Sequence, residues 1–133
     1  MVEVLCADPA RAAEVWPVIS FLIRPALADT LTDFDTVVGD VIAGRSLLWL
    51  ACDGPEIHAA AVTSLSISNG KKFCTIVACG GRNLSKWKHL IARLEQFAKA
   101  EGCRSIAVMG RRGWAREYPD YKLTSVTLEK ELA

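Results

Sequence analysis

A short apolar strand, CTIVAC (Cys74–Cys79), runs into Gly80-Gly81-Arg82-Asn83, and a helical pattern begins near Ser85. Residues of these types in this order can hold an anion. Glycines let the backbone approach ligand oxygens, and the helix N-terminus offers unpaired N–H groups at the positive end of its dipole. The chemistry implied is retention of a phosphate-bearing ligand, with Cys79, Gly80, Gly81, Arg82, Asn83, Leu84, Ser85 and Lys86 as candidate residues. A plain strand-to-helix turn would need the same glycines. Other chemistry-bearing residues are sparse. Arg111, Arg112 and Arg116 cluster around Gly113-Trp114, either to meet an anionic group or as a solvated cationic surface over a core tryptophan. Tyr118 and Tyr121 are the chain's two phenols. His58 and His89 lie far apart, and no zinc spacing occurs. The five cysteines form no CxxC; they read as small buried hydrophobes in a reducing compartment. Cys74 and Cys79 would face opposite sides of a regular strand.

The elements that must position these residues follow from period and punctuation. Val2–Cys6 alternates weakly, as an edge strand would. Asp8 caps a helix with Pro9 in its first position, in which Ala12, Val15, Trp16, Ile19 and Ile23 share a face. Pro17 is expected to kink or break this helix and Pro25 to end it. Asp33 caps a second helix with the stripe Phe34, Val37, Val38, Val41, Ile42, closed by Gly44. Leu47–Cys52, Ile57–Ser68 and Phe73–Cys79 read as an antiparallel meander, turned at Asp53-Gly54-Pro55 and Asn69-Gly70. The helix after the glycines carries Trp87, Leu90, Ile91, Leu94, Phe97 and Ala98 at helical spacing and stops at Gly102. Ser105–Met109 is expected as a buried strand parallel to Phe73–Cys79 through a right-handed crossover. Trp114–Tyr118 reads as a short helix ended by Pro119, and Leu123–Leu132 as a last, exposed strand through which a homodimer could form.

Composition narrows the class. At 133 residues the chain is one domain's length, spanning 1–133 without a linker or repeat. No apolar run reaches the roughly 18 residues of a membrane helix, and the N-terminus shows no secretory pattern, so a cytoplasmic protein without a membrane partner is expected. Residues 1–80 hold 5 basic and 9 acidic side chains, residues 81–133 hold 11 and 6, so a net −4 half precedes a net +5 half. The basic half contains the glycine loop, which suits an anionic ligand. There is no dense Lys/Arg run interleaved with aromatics, so nucleic acid is not expected as a partner.

The expected order β-α-α-β-β-β-α-β-α-β, an α+β (mixed-sheet α/β) arrangement with a glycine turn after the fourth strand, resembles the GNAT superfamily of N-acetyltransferases along nearly the whole chain. The local sequence Gly110-Arg111-Arg112-Gly113-Trp114, with Glu129-Lys130-Glu131-Leu132 near the end, looks like small GNAT-like proteins of phage and prophage gene sets. The resemblance implies acyl transfer from acetyl-CoA to an amine acceptor, with the CoA pyrophosphate held after the fourth strand by Gln/Arg-x-x-Gly-x-Gly/Ala. Arg82 matches the first position of that motif; Ser85 and Trp87 stand where small residues belong. The stripe that begins at Trp87 turns its indole toward the sheet, and Gly80-Gly81 would then supply the close approach. The resemblance also implies a tyrosine that protonates the departing thiolate; Tyr118 is the nearest phenol, two residues out of register, and Tyr121 stands for a family aromatic. Arg111, Arg112 and Arg116 would meet the CoA 3′-phosphate or an acidic substrate. No acidic residue lies on Phe73–Cys79 to serve as a base, which leaves a second expectation: a GNAT-fold binding or assembly protein without catalysis, phage-related.

Overall fold

The computed structural model describes residues 2–27, 33–81, 84–109, 116–124, 128 and 130–132, with the side chains of residues 84–87 outside the description. Strand β1 (Glu3–Cys6) leads into helices α1 (Pro9–Leu27) and α2 (Phe34–Ile42). Strands β2 (Ser46–Asp53), β3 (Glu56–Ser68) and β4 (Lys71–Gly81) follow, then α3 (Leu84–Ala100) and β5 (Ser105–Val108). The strands lie in sequence order in one sheet; β1 to β4 pair antiparallel, and β4 pairs parallel with β5 around α3.

The local signals act as their chemistry requires. The Asp8 carboxylate accepts from Ala10 N–H at 3.0 Å and starts α1. The Asp33 carboxylate accepts from Thr36 N–H and Oγ1 and starts α2. Asn69 and Gly70 both take positive φ, 52° and 73°, the conformation of a type I′ hairpin turn. Cys103 N–H closes the end of α3 on the Ala98 carbonyl at 2.9 Å, past Gly102.

The sheet carries a core on each face. On one, Trp16, Ile19, Leu22 and Ile23 of α1 and Val37 and Val41 of α2 pack against Leu48, Leu50, Ala60, Val62 and Ala78. On the other, Leu90, Ile91 and Leu94 of α3 pack against Trp49, Ala59, Ala61 and Ile76. Each such aliphatic side chain contributes roughly 1.5–3 kcal/mol on burial, so these stripes, and not helix propensity, hold the helices to the sheet. Trp49 Nε1 donates to the buried Thr63 hydroxyl at 2.9 Å, which satisfies both polar groups within the apolar layer.

The structure corrects several expectations. Helix α1 is continuous through Pro17 and Pro25 to Leu27. Both rings lie on its exposed side, where water can take up the carbonyls of the preceding turn, while the buried stripe of α1 fixes the helix from its other side. Gly80 and Gly81 do not turn the chain; they extend β4 and pair with Ala60 and Ala59. Among the described residues the expected terminal helix is helical only at Arg116–Glu117, with Tyr118 already outside it, and residues 122–124, 128 and 130–132 form no strand. Residues 125–127 and 129 of the expected final strand lie outside the described residues. Cys6 is exposed, not a buried hydrophobe, because it ends the edge strand β1.

Candidate functional site

The site is organised by one irregularity in β4. Val62 pairs with Ala78 but Thr63 with Ile76, so Val77 is an extra residue, a β-bulge. A bulge reverses the alternation of side chains beyond it. Val77 and Ala78 both turn to the α1 face, while Ile76 and Cys79 turn to the α3 face. Cys74 and Cys79 therefore share the α3 side, contrary to the expectation for a regular strand. Bulges recur where a strand must re-aim a side chain.

The pairing of β4 with β5 stops at the same place. The last register pair is Ile76 with Val108, and the last cross-strand bond beside it is Met109 N–H to the Ile76 carbonyl at 3.1 Å. Beyond it β4 runs on to Gly81 paired with β3 alone among the described residues. Among the described residues the backbone of Val77–Gly81 thus has no partner on the β5 side, immediately before α3. The first turn of α3 carries no acidic residue, so nothing there opposes an anion at the helix N-terminus.

Tyr118 lies on the α3 face, packing in the cluster that contains Cys79, Leu90 and Leu94. Its ring stands edge-on to that of Tyr121, centroids 6.0 Å apart. Burial raises the Tyr118 phenol above its ordinary value, with Cys79, Glu117 and Glu95 adding to the rise. Tyr121 donates its hydroxyl to the Glu95 carboxylate at 2.7 Å. Burial first, then that bond, holds its proton well above the usual phenol range. Burial pushes the Cys79 thiol up to about 12, so at neutral pH it is a thiol and not a nucleophilic thiolate. Tyr118 is likewise protonated, with its hydroxyl buried.

The structure places Cys79, Gly80 and Gly81 at the end of β4, with the backbone of Leu84, Ser85 and Lys86 in the first turn of α3. Arg82 and Asn83 lie outside the described residues, as do the side chains of Leu84, Ser85, Lys86 and Trp87, and Arg111, Arg112 and Trp114 entirely. Gly80 has a role that its neighbours in sequence do not reveal. A Cβ there would collide with the Leu22 carbonyl oxygen and come within 2.9 Å of its carbon. The smallness of Gly80 is thus used by the backbone of α1, on the face away from Tyr118. His58, isolated in the sequence, is drawn toward the site by the sheet. It is the extra residue between Cys52↔Ile57 and Ala51↔Ala59, and it adjoins Ala59, the partner of Gly81. Its side chain is only 14% exposed and lies 3.9 Å from the Glu56 carboxylate. No sequence spacing marks it; only strand pairing carries it to the end of β4.

No protein-family model and no curated protein matches the chain. Solved structures do match it over nearly full length. An aminoglycoside acetyltransferase from an uncultured soil metagenomic sample, in complex with sisomicin, superposes with a TM-score of 0.74 at 11% identity, over 99% of this chain and 97% of that one. A GNAT family acetyltransferase of Staphylococcus aureus gives 0.68 at 14%, over 98% of each chain. A predicted acetyltransferase of Clostridium acetobutylicum, solved with acetyl-CoA, gives 0.67 at 14%, over 100% and 96%. The fold of this chain is the mixed α+β fold of the GNAT acetyltransferases.

Proposed function

We propose that the protein is an acyltransferase that moves an acetyl group from acetyl-CoA to an amine at the opening between β4 and β5. The observation that carries this reading is the coincidence at Val77: the bulge, the end of the β4–β5 ladder and the Tyr118 contact fall together beside the N-terminus of α3. The fit is physical. A strand edge without a partner among the described residues would offer backbone N–H and C=O groups to an amide-rich pantetheine arm, and the α3 N-terminus suits its pyrophosphate. Cys79, Gly80, Gly81, Arg82, Asn83, Leu84, Ser85 and Lys86 would form this cradle through their backbone, with Ser85 able to donate from its hydroxyl. That the fold's relatives include a protein solved with acetyl-CoA and one solved with sisomicin supports the substrate classes.

Acetyl-CoA supplies an activated thioester. The acceptor nitrogen bonds to its carbonyl carbon, the C–S bond breaks, the nitrogen gives its proton to water, and the thiolate takes one from Tyr118. Tyr118 suits the last role because burial keeps it protonated until a thiolate forms beside it. The Tyr118 hydroxyl is buried in the structure, so it regains its proton from solvent when product departure exposes it.

The test is thermal melting and calorimetry with acetyl-CoA. At a hundredfold excess over Kd, ligand linkage raises stability by about 2.7 kcal/mol, a rise of roughly 10 °C for a domain of this size. No shift at millimolar acetyl-CoA would refute the proposal. Binding without release of CoA in the presence of amines would leave a binding module.

A further inference from the structure

Helices α1 and α2 form a groove between them, on the face of the sheet opposite α3. Its volume is about 310 Å³, at the small end of the range for ligand sites. Trp16 and Pro17 of α1 and Val38 and Ile42 of α2 make its apolar part. Ile42 is 47% exposed, so apolar surface stands in water here and gains by being covered. Phe34 joins this lining, edge-on to Trp16 with ring centroids 5.7 Å apart.

Two side chains of opposite charge, Arg24 and Asp35, line the same groove. The Arg24 guanidinium is held over the Phe34 ring, 3.9 Å from its centroid. A ring contact fixes the cation, and a guanidinium also carries a fork of N–H donors that matches a carboxylate. Asp35 stands in the first turn of α2, but Asp33 caps that helix, so the helix start does not depend on Asp35. Other charges on these helices serve local pairs: Arg11 with Glu14 at 3.6 Å, and Asp40 with Arg45 at 2.9 Å.

The two charges select the occupant. An apolar cation would be drawn by Asp35 and opposed by Arg24, and an apolar anion the reverse. A ligand that carries both charges close together answers both. A peptide carries its terminal ammonium and carboxylate at opposite ends, whereas a free α-amino acid carries them on one carbon. From this charge complementarity beside an apolar lining, we propose that the α1–α2 groove binds a free α-amino acid with an apolar side chain. Arg24 takes the carboxylate, Asp35 takes the ammonium, and the side chain covers Val38 and Ile42. The inference goes beyond the acyl-transfer reading and does not rest on it.

The test is calorimetry and thermal melting of the full-length protein with L-leucine and L-phenylalanine as probes. The better-bound of the two is then compared with its amide, which lacks the carboxylate, and with the matching acid that lacks the amino group. We expect binding at millimolar amino acid, and affinity at least about tenfold lower for each analogue. Arg24 and Asp35 are both exposed, so Arg24→Gln and Asp35→Asn should melt close to wild type. Each should lose about tenfold in affinity. Arg24→Gln should also abolish the preference for the amino acid over its amide, and Asp35→Asn the preference over the acid without an amino group. Should a variant melt early, the analogue comparison on the wild-type protein decides alone. Neither heat nor a melting shift with either amino acid overturns the proposal, as does an amide bound as tightly as the amino acid. Unchanged affinity in both variants overturns it too, since binding would then lie elsewhere. Acetyl-CoA titrated into the same protein keeps the two readings apart. Amino-acid binding without acetyl-CoA binding refutes acyl transfer alone, and the reverse refutes this groove alone.

Discussion

Replacing Gly80 with alanine separates two uses of a glycine. If its smallness serves a ligand, the alanine variant folds normally and loses acetyl-CoA. The structure argues for the other use. The added methyl group would occupy the position of the Leu22 carbonyl oxygen, and the carbonyl carbon would lie 2.9 Å away, inside any real Cβ contact. Both are backbone atoms of α1, so no side-chain rotation relieves the clash. Helix α1 would have to lift from β4, loosening Ile19, Leu22 and Ile23 in the core they share with Ala60, Val62 and Ala78. Overpacking of this kind costs about 1–3 kcal/mol, and a rigid-body shift of a helix belongs at the upper end. About 3 kcal/mol corresponds to a fall in Tm of roughly 10–15 °C for a domain of this size. Gly39 is the control: it lies within α2, a Cβ added to it would meet no atom within 4 Å, and its φ is not positive. Gly39→Ala should therefore raise stability by about 0.5–1 kcal/mol through helix propensity alone. Differential scanning calorimetry of the three proteins decides the matter. A Gly80→Ala protein melting within 2 °C or so of wild type would refute the packing role, and loss of acetyl-CoA binding in that same stable protein would restore the ligand role.

Three further outcomes are expected. Trp49→Phe removes the donor to the buried Thr63 hydroxyl and should cost about 1–3 kcal/mol in urea unfolding, partly recovered by adding Thr63→Val; full additivity of the two changes would mean that the bond is not the cause. Alkaline pH should destabilise the fold. The native thiols of Cys74 and Cys79 are raised from 9.0 to about 11 and about 12, so the unfolded chain releases these protons first, and stability present below pH 9 is lost between pH 9 and 12. At pH 10 the two thiols together account for about 2–3 kcal/mol, a loss that the double change to alanine should largely abolish; a urea midpoint equal at pH 8 and pH 10 would contradict the assignment. Ser85→Trp, in the first turn of α3, should abolish acetyl-CoA binding by calorimetry without unfolding the protein, and unchanged affinity would remove this turn from the cradle.

What can be read in the sequence is what local chemistry dictates. Helix α3 is legible because Leu90, Ile91, Leu94 and Ala98 repeat with the helical period and all are buried. The Asn69-Gly70 hairpin is legible because few residues accept positive φ at both central positions. The expectations that fail are those decided across the sheet. Nothing in the sequence CTIVACGG marks Val77 as the extra residue; the bulge shows only in the pairing of β4 with β3. Pro17 and Pro25 carry a correct local penalty, overridden because their rings fall on the exposed side of a helix fixed by its buried stripe. His58 reaches the end of β4 only through pairing with residues distant in sequence.

The candidate site shows why glycines mislead when read alone. A glycine reports that something comes close, not what comes close. Along β4, Cys79 turns to α3 and Tyr118 while Gly80 turns to α1, so neighbouring residues answer to different constraints. The bulge at Val77 sets which residue faces which side. Had the strand been regular, residue 79 would have faced α1, and the residue forced to be small by Leu22 would have stood on the Tyr118 side. Because the bulge intervenes, the close packing of α1 and the opening beside Tyr118 are built from the same strand without competing for the same positions. The α1 face can then be packed tightly on Gly80 while Ile76 and Cys79 answer to the α3 face alone.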